Sequence, residues 1–287
     1  MRQFTIPEKR MFTDIEQIKS QTLGDYRHAF ERLVSEGRVE NLIANALRKH
    51  IAGDSAPLRP MIANETQIIL YRDDYVLLEL RYIMPSGSEA VDLDSSVTLA
   101  SSDILMTVIG DGEADVALYE SSVITDHAVF DQNARVRPIN ELTLRRGTFI
   151  ELSGGIHALR FCSVRRGLTL LQIVSNHYLP LAWSFDATDG RALCVAAPNI
   201  ESGRQDFCLT ALRHLDHREA MDEFENIAKR SPYHFVRMSA VRSLLLWDSE
   251  RGLAAMREVA ATDPHPHVRE AAAKTVDNIL AARRATA

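Results

Sequence analysis

The residues best suited to chemistry lie in the run Gly147–Leu159, which carries a histidine near its end. An alternating apolar strand and the turn-forming pair Gly154-Gly155 lead directly to His157, so this histidine opens the next strand. The mouth of a small β-barrel is a common place for a ligand pocket. We therefore predict a pocket lined by His157, Glu151 and Arg160.

A metal ion is the alternative occupant of such a pocket. A transition metal needs three or four nitrogen, oxygen or sulfur ligands at one point, and a single histidine does not supply them. His177 follows a predicted strand, and Asp126 and Asp131 lie in the long connection before Asn140. One hypothesis is a site built from His157, His177 and one aspartate. We favour the other, in which the loop residues cap turns and no cofactor is bound, and a divalent transition metal stays as the alternative.

The composition excludes several classes of partner. The chain has 287 residues, a formal charge of −6 and 46% hydrophobic residues, as expected for a globular protein. A net negative charge does not favour binding to nucleic acid or to an anionic membrane. No apolar run approaches the roughly 20 residues that span a bilayer.

No apolar signal core opens the sequence, so we predict a cytoplasmic protein. The cysteines lack a CxxC spacing and are predicted to be reduced and mostly buried: Cys162, Cys194 and Cys208.

The first part of the chain, residues 11–52, is predicted to be helical. Tyr26, Phe30 and Leu33 recur at the spacing of one helical face. We predict an N-terminal helical segment over residues 1–55, which packs on the next domain as a lid or serves as a dimerisation arm.

After residues 53–60, which are rich in Gly, Ser and Pro, the apolar period changes to that of a strand. Short β-rich runs with no helical pattern between them indicate a sandwich or barrel of antiparallel strands. Gly110-Asp111-Gly112 is predicted to form a hairpin turn between two of them. The predicted strands are Ile68–Leu70, Tyr75–Leu80, Val97–Ala100, Ile104–Ile109, Val116–Tyr119, Phe149–Leu152, His157–Phe161 and Leu168–Val174.

Two of these runs resemble the motifs of the cupin family, whose fold is a small double-stranded β-helix barrel. Ile104–Ala114 resembles a valine-rich strand followed by a Gly-x-Gly-Glu turn, and Gly147–Leu159 resembles the second motif, in which a histidine opens a strand. The resemblance implies a cupin-like barrel over residues 56–203. Metal-binding cupins take two histidines and a glutamate from the first motif, whereas Asp94–Asp103 contains neither residue type. The resemblance thus implies a barrel without a full set of metal ligands.

An internal repeat occupies the C-terminal residues 204–287. An offset of 32 residues aligns Val236 with Val268 and Ala240 with Ala272, and each unit reads as a helix, a proline-containing turn and a second helix. The Val-Arg-x-x-Ala element resembles short HEAT-like repeats, in which it serves packing. Such arrays usually bind proteins, and two units leave an end that a neighbouring domain or a second chain would cover.

Together these patterns predict an α+β multidomain protein with N-terminal helices, an antiparallel cupin-like barrel and C-terminal HEAT-like repeats. The favoured function is non-catalytic: ligand sensing, or protein interaction as a scaffold, with a metal-free barrel and a protein partner or a second copy bound through residues 204–287. The alternative is a divergent metal-dependent cupin enzyme, an oxygenase or isomerase, centred on His157. A small-molecule ligand in the barrel is compatible with both functions.

Overall fold

The computed structural model describes residues 12–20, 22–51, 61–64, 66–85, 95–122, 124 and 126–286. The chain forms two compact units, Met1–Val195 and Ala196–Ala287, which we call the β unit and the helical unit. An α+β chain with antiparallel sheets followed by C-terminal helices is confirmed. The finer division at residues 55 and 203 stays a prediction.

The β unit begins with short helices: α1 Thr13–Glu16, α2 Arg27–Ser35 and α3 Arg38–Ile51, with a 3-10 turn at Leu23–Tyr26. Twelve strands follow in the described residues. They are β1 Met61–Asn64, β2 Gln67–Arg72, β3 Val76–Ile83, β4 Ser96–Thr98, β5 Ile104–Ile109, β6 Glu113–Ser121, β7 Val136–Leu144, β8 Phe149–Leu152, β9 His157–Arg166, β10 Leu168–Ser175, β11 Ala182–Asp186 and β12 Ala192–Ala196.

These strands form two antiparallel layers. The first layer is one sheet in the order β1-β2-β3-β10-β5-β8, and the second consists of β12-β11-β4 and β7-β6-β9. An antiparallel bridge between Leu99 and Ala158 joins the two parts of the second layer. Among the described strands, most neighbours within a sheet are therefore distant in sequence.

The turn Gly110-Asp111-Gly112 connects the layers, so its prediction as a hairpin turn is wrong. β5 pairs with β10 and β8, whereas β6 pairs with β7 and β9. Gly110 has a φ of 81°, and a Cβ on Gly112 would lie 2.6 Å from the Gly167 carbonyl oxygen. Glycine is required here by a left-handed conformation and by a close crossing of two chain segments.

The two faces of the first layer have different roles. The outer face packs on the N-terminal helices, where Tyr26 and Phe30 are fully buried against Leu78, Leu171 and their neighbours. Each such side chain contributes about 1.5–3 kcal/mol by burial. The described helices α1 and α2 of the predicted N-terminal segment are thus packed on their own chain, on the outside of the barrel. The inner face packs on the second layer through an apolar cluster: Ala100, Met106, Val108, Ala114, Val116, Leu144, Ile150, Leu152, Val164, Leu168 and Leu170.

The sequence pattern missed four of the described strands, β1, β7, β11 and β12, and two of them show different reasons. β7 is an edge strand whose residues are mostly exposed and include Pro138, so it has no apolar alternation. β11 was missed because it has only 5 residues, even though Trp183 and Phe185 alternate along it and are both buried. The prediction of buried cysteines is also wrong, because all three thiols are exposed on strands or helices whose other face packs.

The helical unit consists of α4 Ile200–His214, α5 Met221–Arg230, α6 His234–Trp247, α7 Ser249–Thr262 and α8 Pro266–Thr286. The 32-residue repeat is present in its contacts. Arg237 donates from Nη1 to the carbonyls of Ser231 and Pro232, and Arg269 donates likewise to Asp263 and Pro264. Whether these repeats are HEAT-like stays a prediction. No helix in the described part of the chain is long and apolar enough to cross a bilayer.

Gly252 fixes the close approach of α7 to the end of α6. A Cβ on this residue would lie 2.2 Å from the Leu245 Cα. We expect Gly252→Ala to lower the unfolding free energy by about 1–3 kcal/mol through overpacking, as measured by urea titration. Gly203→Ala is the matched control, since its Cβ meets only the Ala197 Cβ at 3.6 Å. Equal stability of the two variants would contradict this account of the contact.

Candidate functional site

The predicted pocket residues project in three directions. Glu151 lies opposite Leu105 in the outer face of the first layer, where it forms an ion pair with Arg27 of α2. Arg160 alternates with Leu159, which packs on the inner cluster, so Arg160 projects to the outer face of the second layer. Only His157 lies on the inner face. The structure does not bring His157, Glu151 and Arg160 together.

His157 has a defined hydrogen-bonding state. The Ser153 amide donates to its Nδ1 at 3.0 Å, which places the proton of the neutral ring on Nε2. Its cross-strand neighbour on β6 is Glu120, whose pKa is lowered by a hydrogen bond from Arg137. A histidine that binds metal through Nε2 has its proton on Nδ1 and donates it to an acceptor. The arrangement at His157 is the reverse of that state.

The other predicted metal ligands do not join His157. His177 is exposed after β10, and Asp126 is exposed in the connection to β7, where its Oδ1 accepts from the Ala128 amide at 2.9 Å. Among the described residues, no three His, Cys, Asp or Glu side chains form a group that could hold a metal ion. The residues present do not fit a metal centre built from His157, His177 and Asp126.

A second histidine packs against the same turn from the outer side. A Cβ on Gly155 would lie 2.5 Å from His127 Cε1, and the φ of 74° also requires glycine there. The Trp183 indole donates to the His127 carbonyl at 3.1 Å. Burial lowers the pKa of His127, and its Nδ1 has no hydrogen-bond partner among the described residues. His127 is thus a neutral packing residue of the turn before His157.

The polar centre of the inner face is Glu79, which was not predicted from the sequence. Glu79 is only 3% exposed, and its carboxylate accepts hydrogen bonds from the amides of Gln67 and Gln172. Glu79 lies opposite Gln172, which lies opposite Met106 of the inner apolar cluster. Directly opposed residues share a face, so this carboxylate projects into the barrel. We call Gln67, Glu79 and Gln172 the Glu79 cluster.

A signal for this cluster exists in the sequence. Glu79 interrupts the apolar run Val76–Leu80, and Gln172 interrupts the run Leu168–Val174. An ionisable residue inside a strand that is otherwise apolar is almost never fully buried unless it is paired. Register then decides whether two such residues meet, and register is not visible in a single sequence.

Two polar side chains on the inner faces of the layers are exposed to solvent. Arg81 lies opposite Leu170 of the inner cluster, and it is exposed. Thr98 shares a face with Ala100 of the same cluster, and it is also exposed, with a 3.0 Å hydrogen bond to Ser184. The inner faces of the barrel thus carry an exposed arginine and an exposed threonine next to the apolar cluster.

Comparison with solved structures finds weak likenesses to barrel proteins. A hydroquinone 1,2-dioxygenase bound to Cd²⁺ and 4-hydroxybenzonitrile is 18% identical over 39% of this chain and 64% of its own, with a TM-score of 0.26. A hydroquinone 1,2-dioxygenase from Sphingomonas sp. TTNP3 is 16% identical over 41% and 69%, with a TM-score of 0.29. A cupin-2 domain protein from Shewanella frigidimarina is 10% identical over 38% and 79%, with a TM-score of 0.23.

The chain thus spans just under two thirds of the first dioxygenase. No protein-family model matches the sequence, and no curated protein does. Because the TM-scores are low, the fold described above rests on the strand pairing itself. The molecules bound in those structures are properties of those proteins.

His157 supports the turn before β9, which gives a prediction of stability. We expect His157→Ala to lower the unfolding free energy of the β unit by about 0.5–1.5 kcal/mol, the usual contribution of one hydrogen bond. His177→Ala, at an exposed residue, is the control and is expected to leave stability unchanged. Urea unfolding followed by Trp183 fluorescence, in a Trp247→Phe background, measures both. A His157 variant as stable as the His177 control would contradict the proposed hydrogen bond from Ser153.

Proposed function

We propose that this chain is a non-catalytic ligand-sensing and protein-interaction protein of the cytoplasm. Its barrel, cupin-like in the order of its motifs, binds a small molecule at the Glu79 cluster without a metal. Its repeats serve as a HEAT-like platform for a protein partner. The observation that carries this proposal is the buried Glu79 carboxylate, which lies on the inner face beside the apolar cluster.

The chemistry of the cluster defines the class of ligand. Glu79 offers carboxylate lone pairs, and each glutamine that donates its amide N–H to Glu79 keeps a carbonyl oxygen as an acceptor. An acceptor-rich, buried site binds a molecule with several N–H or O–H donors, and the carboxylate favours a cationic group. Small amines and polyols are therefore the expected ligands.

Thermal unfolding of the full chain with a panel of small amines and polyols tests this proposal. A ligand at 100 times its Kd stabilises the folded state by about 2.7 kcal/mol. We expect at least one member to raise the Tm of the wild-type protein and of Glu151→Gln, the same substitution on the outer face, but not that of Glu79→Gln. A panel without effect, or an equal Tm rise in Glu79→Gln, would overturn it.

A divergent metal-dependent cupin enzyme, an oxygenase or isomerase, is the second candidate. It is favoured by the position of His157 on the inner face opposite Glu120, and by the dioxygenases among the similar structures. Those enzymes hold Cd²⁺ or aromatic ligands, and another similar enzyme from Streptomyces albus holds Fe(II). In this chain, such a centre needs His157 to exchange its Ser153 hydrogen bond for a proton on Nδ1.

A further inference from the structure

Three histidine rings lie in contact with one another in the helical unit. The ring centroids of His234 and His265 are 4.6 Å apart and the angle between the rings is only 15°, so these two rings are stacked. The ring of His267 lies 5.8 Å from that of His265. His234 is the first residue of α6, whereas His265 lies in the turn before α8. The stack therefore joins the turns of the two successive repeats.

The first repeat has an equivalent ring pair that does not gain charge near neutral pH. An offset of 32 residues aligns His265 with Tyr233, and it aligns His267 with Phe235. The centroids of Tyr233 and Phe235 are 6.2 Å apart at an angle of 42°, against 5.8 Å and 43° for the histidine pair. Ordinary aromatic rings thus suffice for packing at these positions. The second repeat has histidines instead, the side chain that gains charge between about pH 5 and 8.

The two turns and the first turns of α6 and α8 place two arginines and one aspartate beside the stack. Arg237 donates to carbonyls of the first turn, and Arg269 donates to carbonyls of the second. Asp263 attracts a charged His265 ring, and its Oδ1 accepts from the His265 amide at 2.8 Å. This carboxylate therefore favours one proton on the stack. Because both of its oxygens are already bonded by Arg237, it balances a second proton poorly.

We propose that the stack of His234 on His265 is a pH-sensitive contact between the two repeats, closed while at most one ring carries a proton and opened when both do. A charged ring attracts a neutral ring through its π-system. Two charged rings 4.6 Å apart repel each other, and because both rings are half-buried, water screens this repulsion only in part. The contact lies wholly within the helical unit, so it does not depend on a ligand in the barrel.

Nuclear magnetic resonance of the full chain, labelled with ¹³C at histidine Cε1, tests the shared protonation. The signals of His234 and His265 are assigned by substitution and followed against pH. We expect the stack to titrate in two steps that are about one pH unit or more apart, because the second proton meets the first. In His234→Phe, which keeps a ring in the stack, His265 is expected to titrate in a single step. A single common step for both rings in the wild-type protein would overturn the proposal.

Urea unfolding followed by Trp247 fluorescence, in a Trp183→Phe background, tests whether the contact opens. From about pH 7.5 to about pH 5.5, the unfolding equilibrium constant of the helical unit is expected to rise about 5–10-fold, since the unfolded chain binds the second proton more readily. His265→Tyr/His267→Phe copies the ring pair of the first repeat and is expected to remove most of this rise. His214→Phe, at an exposed histidine of α4, is the control and should keep it. No rise in the wild-type protein, or an equal rise in the double variant, would overturn the proposal.

Discussion

Arg237→Ala is expected to lower the unfolding free energy of the helical unit by about 3–5 kcal/mol, because it leaves a buried carboxylate without its partner. The Arg237 guanidinium bonds both Asp263 oxygens at 2.8 Å, and the two side chains are 5% and 1% exposed. The unit contains one tryptophan, Trp247, which packs on Phe224. Urea unfolding followed by Trp247 fluorescence, in a Trp183→Phe background, measures the effect separately from the β unit.

Arg251→Ala is the control for a surface ion pair. Arg251 also bridges to carboxylates of a neighbouring helix, Glu225 and Asp222, but its side chain is 32% exposed and that of Asp222 is 84% exposed. Its removal is expected to cost about 0–1 kcal/mol. If Arg251→Ala were as destabilising as Arg237→Ala, burial would not be the reason for the larger effect.

The same buried pair gives the helical unit an acid-sensitive component. Burial alone would raise the pKa of Asp263, but hydrogen bonds from Arg237 and the His265 amide outweigh burial and lower it below its ordinary 3.8. A carboxylate whose pKa is lowered by folding stabilises the folded state above its ordinary pKa. This contribution is lost as pH falls below about 4 towards the lowered pKa. In Asp263→Asn, the unfolding free energy of the helical unit should depend less on pH over that range.

Glu79→Ala is expected to have the second large effect on stability, by lowering the unfolding free energy of the β unit. It leaves the amides of Gln67 and Gln172 without their acceptor in a buried place, at a cost of about 1–3 kcal/mol for each donor. The β unit contains the other tryptophan, Trp183, which is 1% exposed. Urea unfolding in a Trp247→Phe background therefore reports the loss.

A triple variant separates structure from function at this cluster. Replacing all three polar residues by leucine or methionine removes donors and acceptor together, which is close to neutral when the shapes match. We expect this variant to regain most of the stability lost in Glu79→Ala while it fails to respond to small amines and polyols. A triple variant that still responds to the ligand would place the ligand site elsewhere in the chain.

The order of strands and helices could be predicted from sequence, because the spacing of apolar residues and the turn-forming residues between them indicate it. The β-rich runs Ile104–Ile109 and Leu168–Val174 became β5 and β10, and the repeat offset of 32 residues reappears in the equivalent contacts of Arg237 and Arg269. The exposed edge strand Val136–Leu144 was missed, since it has no buried face to impose an alternation. Local pattern predicts a strand only where one side of it is covered.

The site could not be predicted in the same way, because it depends on pairing and on faces. His157 and Glu151 are six residues apart, yet they lie on different layers and on opposite faces. Glu79 and Gln172 are 93 residues apart, yet they are bonded neighbours. The Gly110-Asp111-Gly112 turn shows the cause. It connects two layers, whereas the sequence predicted a hairpin within one sheet. This difference decides which strands are neighbours and which side chains face each other.

The central claim is that the barrel binds its ligand at Glu79 without a metal. Elemental analysis tests this claim most directly. The full chain would be purified without chelators from cells supplied with iron, manganese, nickel and zinc, and its metal content measured by inductively coupled plasma mass spectrometry. The account predicts far less than one metal ion per chain, and the same content in His157→Ala. One ion of any of these metals per chain, lost on His157→Ala, would contradict it.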